Sequence, residues 1–280
     1  MMNRRRFLTI TACAFATPLQ ARTTWSSRAL GADASITLAG PAPKAQALWR
    51  RVQATLDRVE AHFSLHRDSC LTRLNRDGHL AYPDPDILEL VALADRVHRA
   101  TAGAFDPSVQ PLWLATAAGT DPALARTGWQ RLRASAREIR LEPGMALTFN
   151  GIAQGFAADK IADLLRAEGY DDLLIDMGEI RGLGPFPWQA TIADPAGIIL
   201  GQIGLQNRAL ATSSPRGTVI GADQSHILHP SREAKWGTAA ISAPSAALAD
   251  ALSTACCLMR RDEIDEALAS FFGVKLETLS

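Results

Sequence analysis

Between residues 45 and 63 the apolar positions Ala45, Leu48, Val52, Leu56, Val59 and Phe63 recur at steps of three and four. That period predicts an amphipathic helix, with Arg50, Arg51, Asp57, Arg58 and Glu60 on its polar face. The same period predicts a second long helix from Pro85 to Ala100, stopped by Gly103. Asp68-Ser69 offers a cap for a short helix through Leu71 and Leu74. A Gly- and Ala-rich helix is predicted from Ile152 to Glu168, another from Ser245 to Met259, and a last one from Glu263 to Phe271. Strands are predicted where apolar and polar residues alternate or where short apolar runs stand between turn residues. Trp25 to Ala39 reads as a strand pair bent at Gly31, and residues 137–149 as a hairpin turning at Glu142-Pro143-Gly144. Leu173-Leu174-Ile175 reads as a buried strand, followed by three short strands between Trp188 and Thr212 and one over Gly237–Ser242. Helices gather early and strands late, with no evident linker. The order predicts an α+β fold: one compact unit of mixed, largely antiparallel strands with flanking helices.

Composition narrows the function classes. The 280 residues are 47% hydrophobic and 21% charged, which excludes a disordered chain. Lys and Arg number 29 against 29 Asp and Glu, and aromatics make up 6%. A nucleic-acid binder needs clustered cations or stacking rings, so no nucleic-acid partner is expected. The balance is uneven along the chain. Asn3-Arg4-Arg5-Arg6-Phe7-Leu8 followed by an apolar run to Leu19 has the form of a twin-arginine export signal, with cleavage after Ala16 or Ala21. The alternative is a cytosolic N-terminal arm. Removing residues 1–21, with three Arg and no acid, leaves 26 basic against 29 acidic residues in 22–280, a net charge of −3. The apolar run falls short of the ~20 residues that span a bilayer, so no stable membrane insertion is expected and the mature protein is placed in the periplasm. Ile10-Thr11-Ala12-Cys13 resembles a lipoprotein box, but too few apolar residues precede it. Without the signal, Cys70, Cys256 and Cys257 remain, and adjacent cysteines do not bridge each other.

The chemistry-bearing residues are few. No P-loop, dinucleotide fingerprint, nucleophile elbow or Cys-x-x-Cys pair is present. His62 and His66 lie four apart near a helix end, without a Glu between them or a third ligand, and read as structural. His226 and His229 flank Ile227-Leu228 before Pro230; a loop histidine there is either a general base or a surface residue. Asp250 and Thr254 share one face of an otherwise apolar helix. A carboxylate in such a helix either reaches solvent or an Arg, or meets a hard cation that offsets its burial. Asn150 to Asp159 places small residues at a helix start, where free N–H groups attract phosphate or where a sheet packs closely.

Several segments together resemble the ApbE-type FAD:protein FMN transferases, or flavin transferases, in the same order from about residue 25 to 260. They are Phe63-Ser64 with Asp68-Ser69 and Leu74-Asn75; Gly103 to Trp113; Gly151 to Asp159; Ala211-Thr212-Ser213; His226-Ile227-Leu228-His229-Pro230; and Ala249 to Thr254. The resemblance implies an enzyme that binds FAD with Mg²⁺ and moves its FMN half to a Thr or Ser hydroxyl of a target redox protein, releasing AMP. It implies Asp250 and Thr254, with a backbone carbonyl near Ala153, as metal ligands, and His226 as the group that activates the acceptor hydroxyl. Leu30, Ser64, His66, Asp106, Gln154, Thr212 and Ser213 fall on its flavin-site positions. The alternatives are an FAD diphosphatase giving FMN and AMP, and a periplasmic FAD-binding protein without turnover. The chain departs from the family pattern at Leu30-Gly31-Ala32 (usually Met-Gly-Thr), at Gln154 (commonly Lys), at Met177-Gly178-Glu179 (usually paired glycines and Asn) and at His66 (often an aromatic).

Overall fold

Ala34, Ile36 and Leu38 point into the core while Asp33, Ser35 and Thr37 point away, and this alternation sets the first buried strand of a seven-stranded sheet. The computed structural model describes residues 8–9, 22–29, 31–39, 46–122 and 125–280. The expected export signal, apart from Leu8-Thr9, and the flavin-site position Leu30 lie outside the described residues.

The sheet runs, edge to edge, Lys275–Leu279, Ala239–Ala243, Arg208–Ser213, Ile180–Leu183, Leu173–Asp176, Ala32–Ala39, Arg22–Ala29. Every pairing in it is antiparallel. Gly31, at φ 79°, makes the turn between the last two strands, in a region where a side chain would be strained. Seven helices are described: α1 (Gln46–Phe63), α2 (Cys70–Asp77), α3 (Pro85–Ala100), α4 (Gln110–Ala118), α5 (Ala153–Ala167), α6 (Ala246–Cys256) and α7 (Arg261–Ala269). One face of the sheet, through Ile36, Leu173, Ile175, Ala209, Ala211 and Ile241, packs on the helices in the main core. The other, through Leu174, Ile180, Leu210 and Ala240, covers a smaller core under the strands Trp188–Ala193 and Ile199–Leu205. Leu8–Thr9 pair with Thr191–Ile192 at the edge of that second sheet. No helix among the described residues is long and apolar enough to cross a membrane.

The periodic segments form the elements their spacing predicts. α3 spans Pro85–Ala100, with Asp84 as its N-cap. Ser69 caps α2 through a reciprocal bond with Thr72. The hairpin expected over 137–149 does not form. Glu138–Arg140 pairs with His79–Ala81 and Arg133–Ala134 instead. The second arm finds other partners: the Asn75 side chain takes both polar groups of Leu147, and the Thr148 N–H donates to the Pro107 carbonyl. Ile180–Leu183, α4 and the C-terminal strand Lys275–Leu279 form without an apolar period that predicts them.

α5 and α6 are in close backbone contact. A Cβ on Gly155 would stand 2.3 Å from the Ala246 carbonyl oxygen and 2.6 Å from the Ala247 nitrogen, both backbone atoms that cannot swing aside. Alanine normally gains about 0.5–1 kcal/mol over glycine in a helix. Overpacking against rigid backbone costs about 1–3 kcal/mol, so the clash decides the sign. Gly155→Ala is therefore expected to lower the urea midpoint; an unchanged or higher midpoint would contradict this packing.

Candidate functional site

The segments singled out by sequence meet where α5 begins, where α6 passes it and where the strand Arg208–Ser213 ends. Asp250, on α6, is 4% exposed, and its Oδ2 accepts from the Gly155 N–H at 3.2 Å. That N–H belongs to the first turn of α5, which has no partner within its own helix. Asp159, on α5, returns the contact. Its carboxylate accepts from the Ala246 N–H (2.9 Å), the Ala247 N–H (3.0 Å) and the Ser245 hydroxyl (2.7 Å) at the start of α6. Each helix thus supplies a carboxylate to the positive end of the other, an arrangement worth up to ~2 kcal/mol per partly buried charge. Arg181, reaching from the sheet, ties Asp159 to the Pro244 carbonyl.

One turn beyond Asp250, Thr254 stands over Gly151, where a Cβ would lie 2.9 Å from the Thr254 Oγ1. Ser213 contributes its hydroxyl from the sheet, 2.7 Å from the Ser253 Oγ and 3.3 Å from the Thr254 Oγ1. The site therefore gathers a buried carboxylate, the hydroxyls of Ser213 and Thr254, and the backbone at Gly151 and Gly155. Oxygen donors of this kind suit a hard divalent cation. Close approach at Gly151 and Gly155 is possible only because neither carries a side chain.

His226 sits just past the strand end. Its Nδ1 lies 2.9 Å from the Pro215 carbonyl oxygen and 3.0 Å from that of Thr218. A carbonyl only accepts, so Nδ1 carries the hydrogen, and in the neutral ring the basic nitrogen is Nε2. The Ser225 hydroxyl fixes the same loop by donating to Pro215 and Ile227.

The expected flavin-site residues divide. Ser213 joins the cluster; Thr212, next along the strand, faces the opposite side of the sheet, and its buried hydroxyl has no hydrogen-bond partner. Gln154 donates to the Met177 carbonyl at 3.1 Å and fills the space above Gly178, where a Cβ would meet its Nε2 at 3.0 Å. Two of the departures from the family pattern, Gln154 and Met177-Gly178-Glu179, are thus in direct contact and form one altered surface. Asp106 caps the 3₁₀ turn Pro107–Val109, accepting from the Ser108 N–H and hydroxyl at 2.8 and 2.6 Å. Ser64 and exposed His66 lie in the loop after α1, where the Ser64 hydroxyl accepts from the His66 N–H. That loop is coupled to α5 through Phe63, whose ring meets Phe149 and Phe156 edge-on at 5.5 and 5.8 Å. A cleft of about 720 Å³ lined by His229, Arg232, Lys235, Leu258, Arg260 and Glu263 takes in none of the residues assigned to metal or flavin. Burial pushes the Cys256 thiol up to about 12 and the Cys257 thiol upward as well, so both are inert. Asp159 lies four beyond Gly155 on the same face of α5, and that spacing is the sequence signal of its place against α6.

The family model described as the ApbE family matches residues 30–276. A curated FAD:protein FMN transferase of Salmonella typhimurium is 29% identical over 199 residues, 62% of this chain and 55% of that protein. One of Treponema pallidum is 29% identical over 284 residues, covering 84% of this chain and 77% of its own. The chain thus spans 55% of the Salmonella protein and 59% of its Klebsiella pneumoniae counterpart. Among solved structures, the apbe protein of Thermotoga maritima superposes with a TM-score of 0.78 at 22% identity, covering 92% of this chain and 94% of that one. The apo form of the Pseudomonas stutzeri flavinyl transferase ApbE gives 0.75 at 25% identity, with 90% and 88% covered.

Burial lowers the proton affinity of His229, against the opposing pull of Asp106 and of a hydrogen bond to the Gly103 main chain. Burial lowers that of His62 as well, against Asp84 and Asp86. Both folded values lie below the ordinary 6.5, so each ring contributes stability that is complete above pH 6.5 and lost as pH falls. Urea midpoints are expected to drop between about pH 7 and 5.5, and a His62→Gln, His229→Gln double variant should drop less. An equal drop in both proteins would refute the assignment.

Proposed function

Because the chain belongs to the ApbE family, we propose that it is an Mg²⁺-dependent FAD:protein FMN transferase acting on a Thr or Ser hydroxyl of a redox protein. The observation that carries the reading is the meeting of Asp250 with the Gly155 N–H, and of Thr254 with Gly151, at the start of α5. Asp250, Thr254 and the Ala153 carbonyl would hold the cation, since all three offer oxygen. Bound there, Mg²⁺ would neutralise charge building on the pyrophosphate oxygens of FAD.

The remaining work falls to the chain. With 29 basic against 29 acidic residues the chain has no basic excess to meet a substrate pyrophosphate, so the bound cation would supply the positive charge there. The Pro215 and Thr218 carbonyls hold the tautomer of His226 that makes Nε2 its base. In the transfer, Nε2 takes the proton of the acceptor hydroxyl. The hydroxyl oxygen bonds to the FMN phosphorus, the bond from that phosphorus to the bridging oxygen breaks, and AMP leaves with the bridging oxygen. Water in place of the hydroxyl would make the same site an FAD diphosphatase. We also propose export to the periplasm through the Arg4-Arg5-Arg6 signal; a chain with all three changed to Lys should stay cytoplasmic on fractionation, and unimpaired export would rule the signal out.

Incubated with FAD, Mg²⁺ and a Thr-containing acceptor peptide, the protein should add one FMN phosphoryl unit to the peptide by mass and release AMP. AMP without a labelled acceptor, across several peptides, would establish the diphosphatase; FAD binding with neither would establish a carrier. Asp250→Ala should abolish metal-dependent turnover. His226→Ala should keep FAD binding and lose ~10²–10⁴-fold in transfer rate; loss of binding instead would give His226 a positioning role.

A further inference from the structure

Away from the α5–α6 site, α1 ends against the start of α3. His62, in the last turn of α1, is 9% exposed, and its Nε2 makes no hydrogen bond. That nitrogen points at Asp84, the N-cap of α3, whose Oδ1 lies 3.7 Å away. Asp86 follows in the first turn of α3. One donor atom from each of His62, Asp84 and Asp86 falls within 4.8 Å of the others. A buried polar nitrogen without a partner is costly, and one aimed at two carboxylates is an arrangement that a cation between them would satisfy.

We propose that His62, Asp84 and Asp86 form a second metal site, for a first-row divalent transition ion of the Zn²⁺ class. An imidazole nitrogen with two carboxylate oxygens matches that class, whereas the all-oxygen set at Asp250 matches Mg²⁺. Zn–N and Zn–O bonds of about 2.0–2.2 Å require the three donors to close by roughly 1 Å. Asp84 can supply that movement, because its side chain is 41% exposed; its Oδ1 also accepts from the Asp86 N–H at 2.9 Å, and Asp86 is held by Lys160 and Arg58. The other ring nitrogen is already engaged: Nδ1 lies 3.7 Å from the Cys70 Sγ, which itself accepts from Arg73. Such a second contact fixes the ring so that Nε2 is presented to the metal.

Local charge permits the ion. Lys160 lies 2.9 Å from the Asp86 Oδ1 and 2.6 Å from the Glu89 Oε2, and Arg58 lies 3.5 Å from the Asp86 Oδ2. Three carboxylates thus face two cations before any metal binds. Arg58 is half-exposed and can turn to water, and Lys160 retains Glu89.

The test is Co²⁺ titration of the full chain, stripped with chelator and kept in excess Mg²⁺, followed by visible d–d absorption and competed with Zn²⁺. One equivalent of Co²⁺ should bind, survive in Asp250→Asn, and weaken by more than about tenfold in His62→Gln and in Asp84→Asn. Circular dichroism identifies any variant that fails to fold; either of the two suffices. No Co²⁺ equivalent in the parent chain, or undiminished binding in a folded His62→Gln or Asp84→Asn, would overturn the site. Loss in Asp250→Asn alone would assign the ion to the α5–α6 site and overturn it equally. Failure here leaves the transferase reading untouched, since that reading is tested by acceptor labelling.

Discussion

Two helices, each capped by a carboxylate of the other, hold this site together. The Asp159 side chain closes the start of α6, the Asp250 side chain meets the start of α5, and Gly155 lets the two backbones touch. Buried carboxylates need donors, and helix N-termini need acceptors. The exchange satisfies both needs at once and fixes the separation of the helices. Neither contact could form with a larger residue at position 155.

From that separation the functional geometry follows. Thr254 lies one turn past Asp250, so it stands over Gly151, and the strand beneath delivers Ser213 to the same point. The loop that continues from this strand folds back so that Pro215 and Thr218 orient His226. The oxygen-rich corner at Asp250 and the tautomer-fixed His226 thereby lie close to one strand end. Arg181 extends the brace into the sheet, because its guanidinium binds both Asp159 and the Pro244 carbonyl.

Local period and capping chemistry made much of the fold legible. α1, α2, α3, α5 and α6 fall where their apolar spacing and caps place them, to within a few residues. What escaped was set by tertiary partners. Leu147 and Thr148 look like one arm of a hairpin, yet Asn75 and Pro107 take their backbone groups. Ile180–Leu183 reads as Ile-Arg-Gly-Leu, without alternation, because it is buried on both faces and its arginine is paired inside. At the site, Asp250, Thr254, Gly151 and Ser213 were readable and are brought together. Thr212 was not separable from Ser213 by type, and only the pleat assigns it to the opposite face. The spacing of Asp159 from Gly155 places it on the α6-facing side of α5, but nothing local says that a helix 86 residues later will place Ser245 against it. The contact between Gln154 and Met177-Gly178 likewise appears only in three dimensions, and it turns two departures from the family pattern into one.

Reciprocal capping of α5 and α6 sets the position of Asp250 and Thr254, and with it the proposed metal corner. The Mg²⁺ dependence of AMP release from FAD, measured for Asp159→Asn beside the parent chain, tests it most directly. Asp159 touches neither metal nor substrate in this account, so the predicted result is a folded protein whose half-saturating Mg²⁺ concentration is raised several-fold. A folded Asp159→Asn protein with the parent's Mg²⁺ dependence would contradict it.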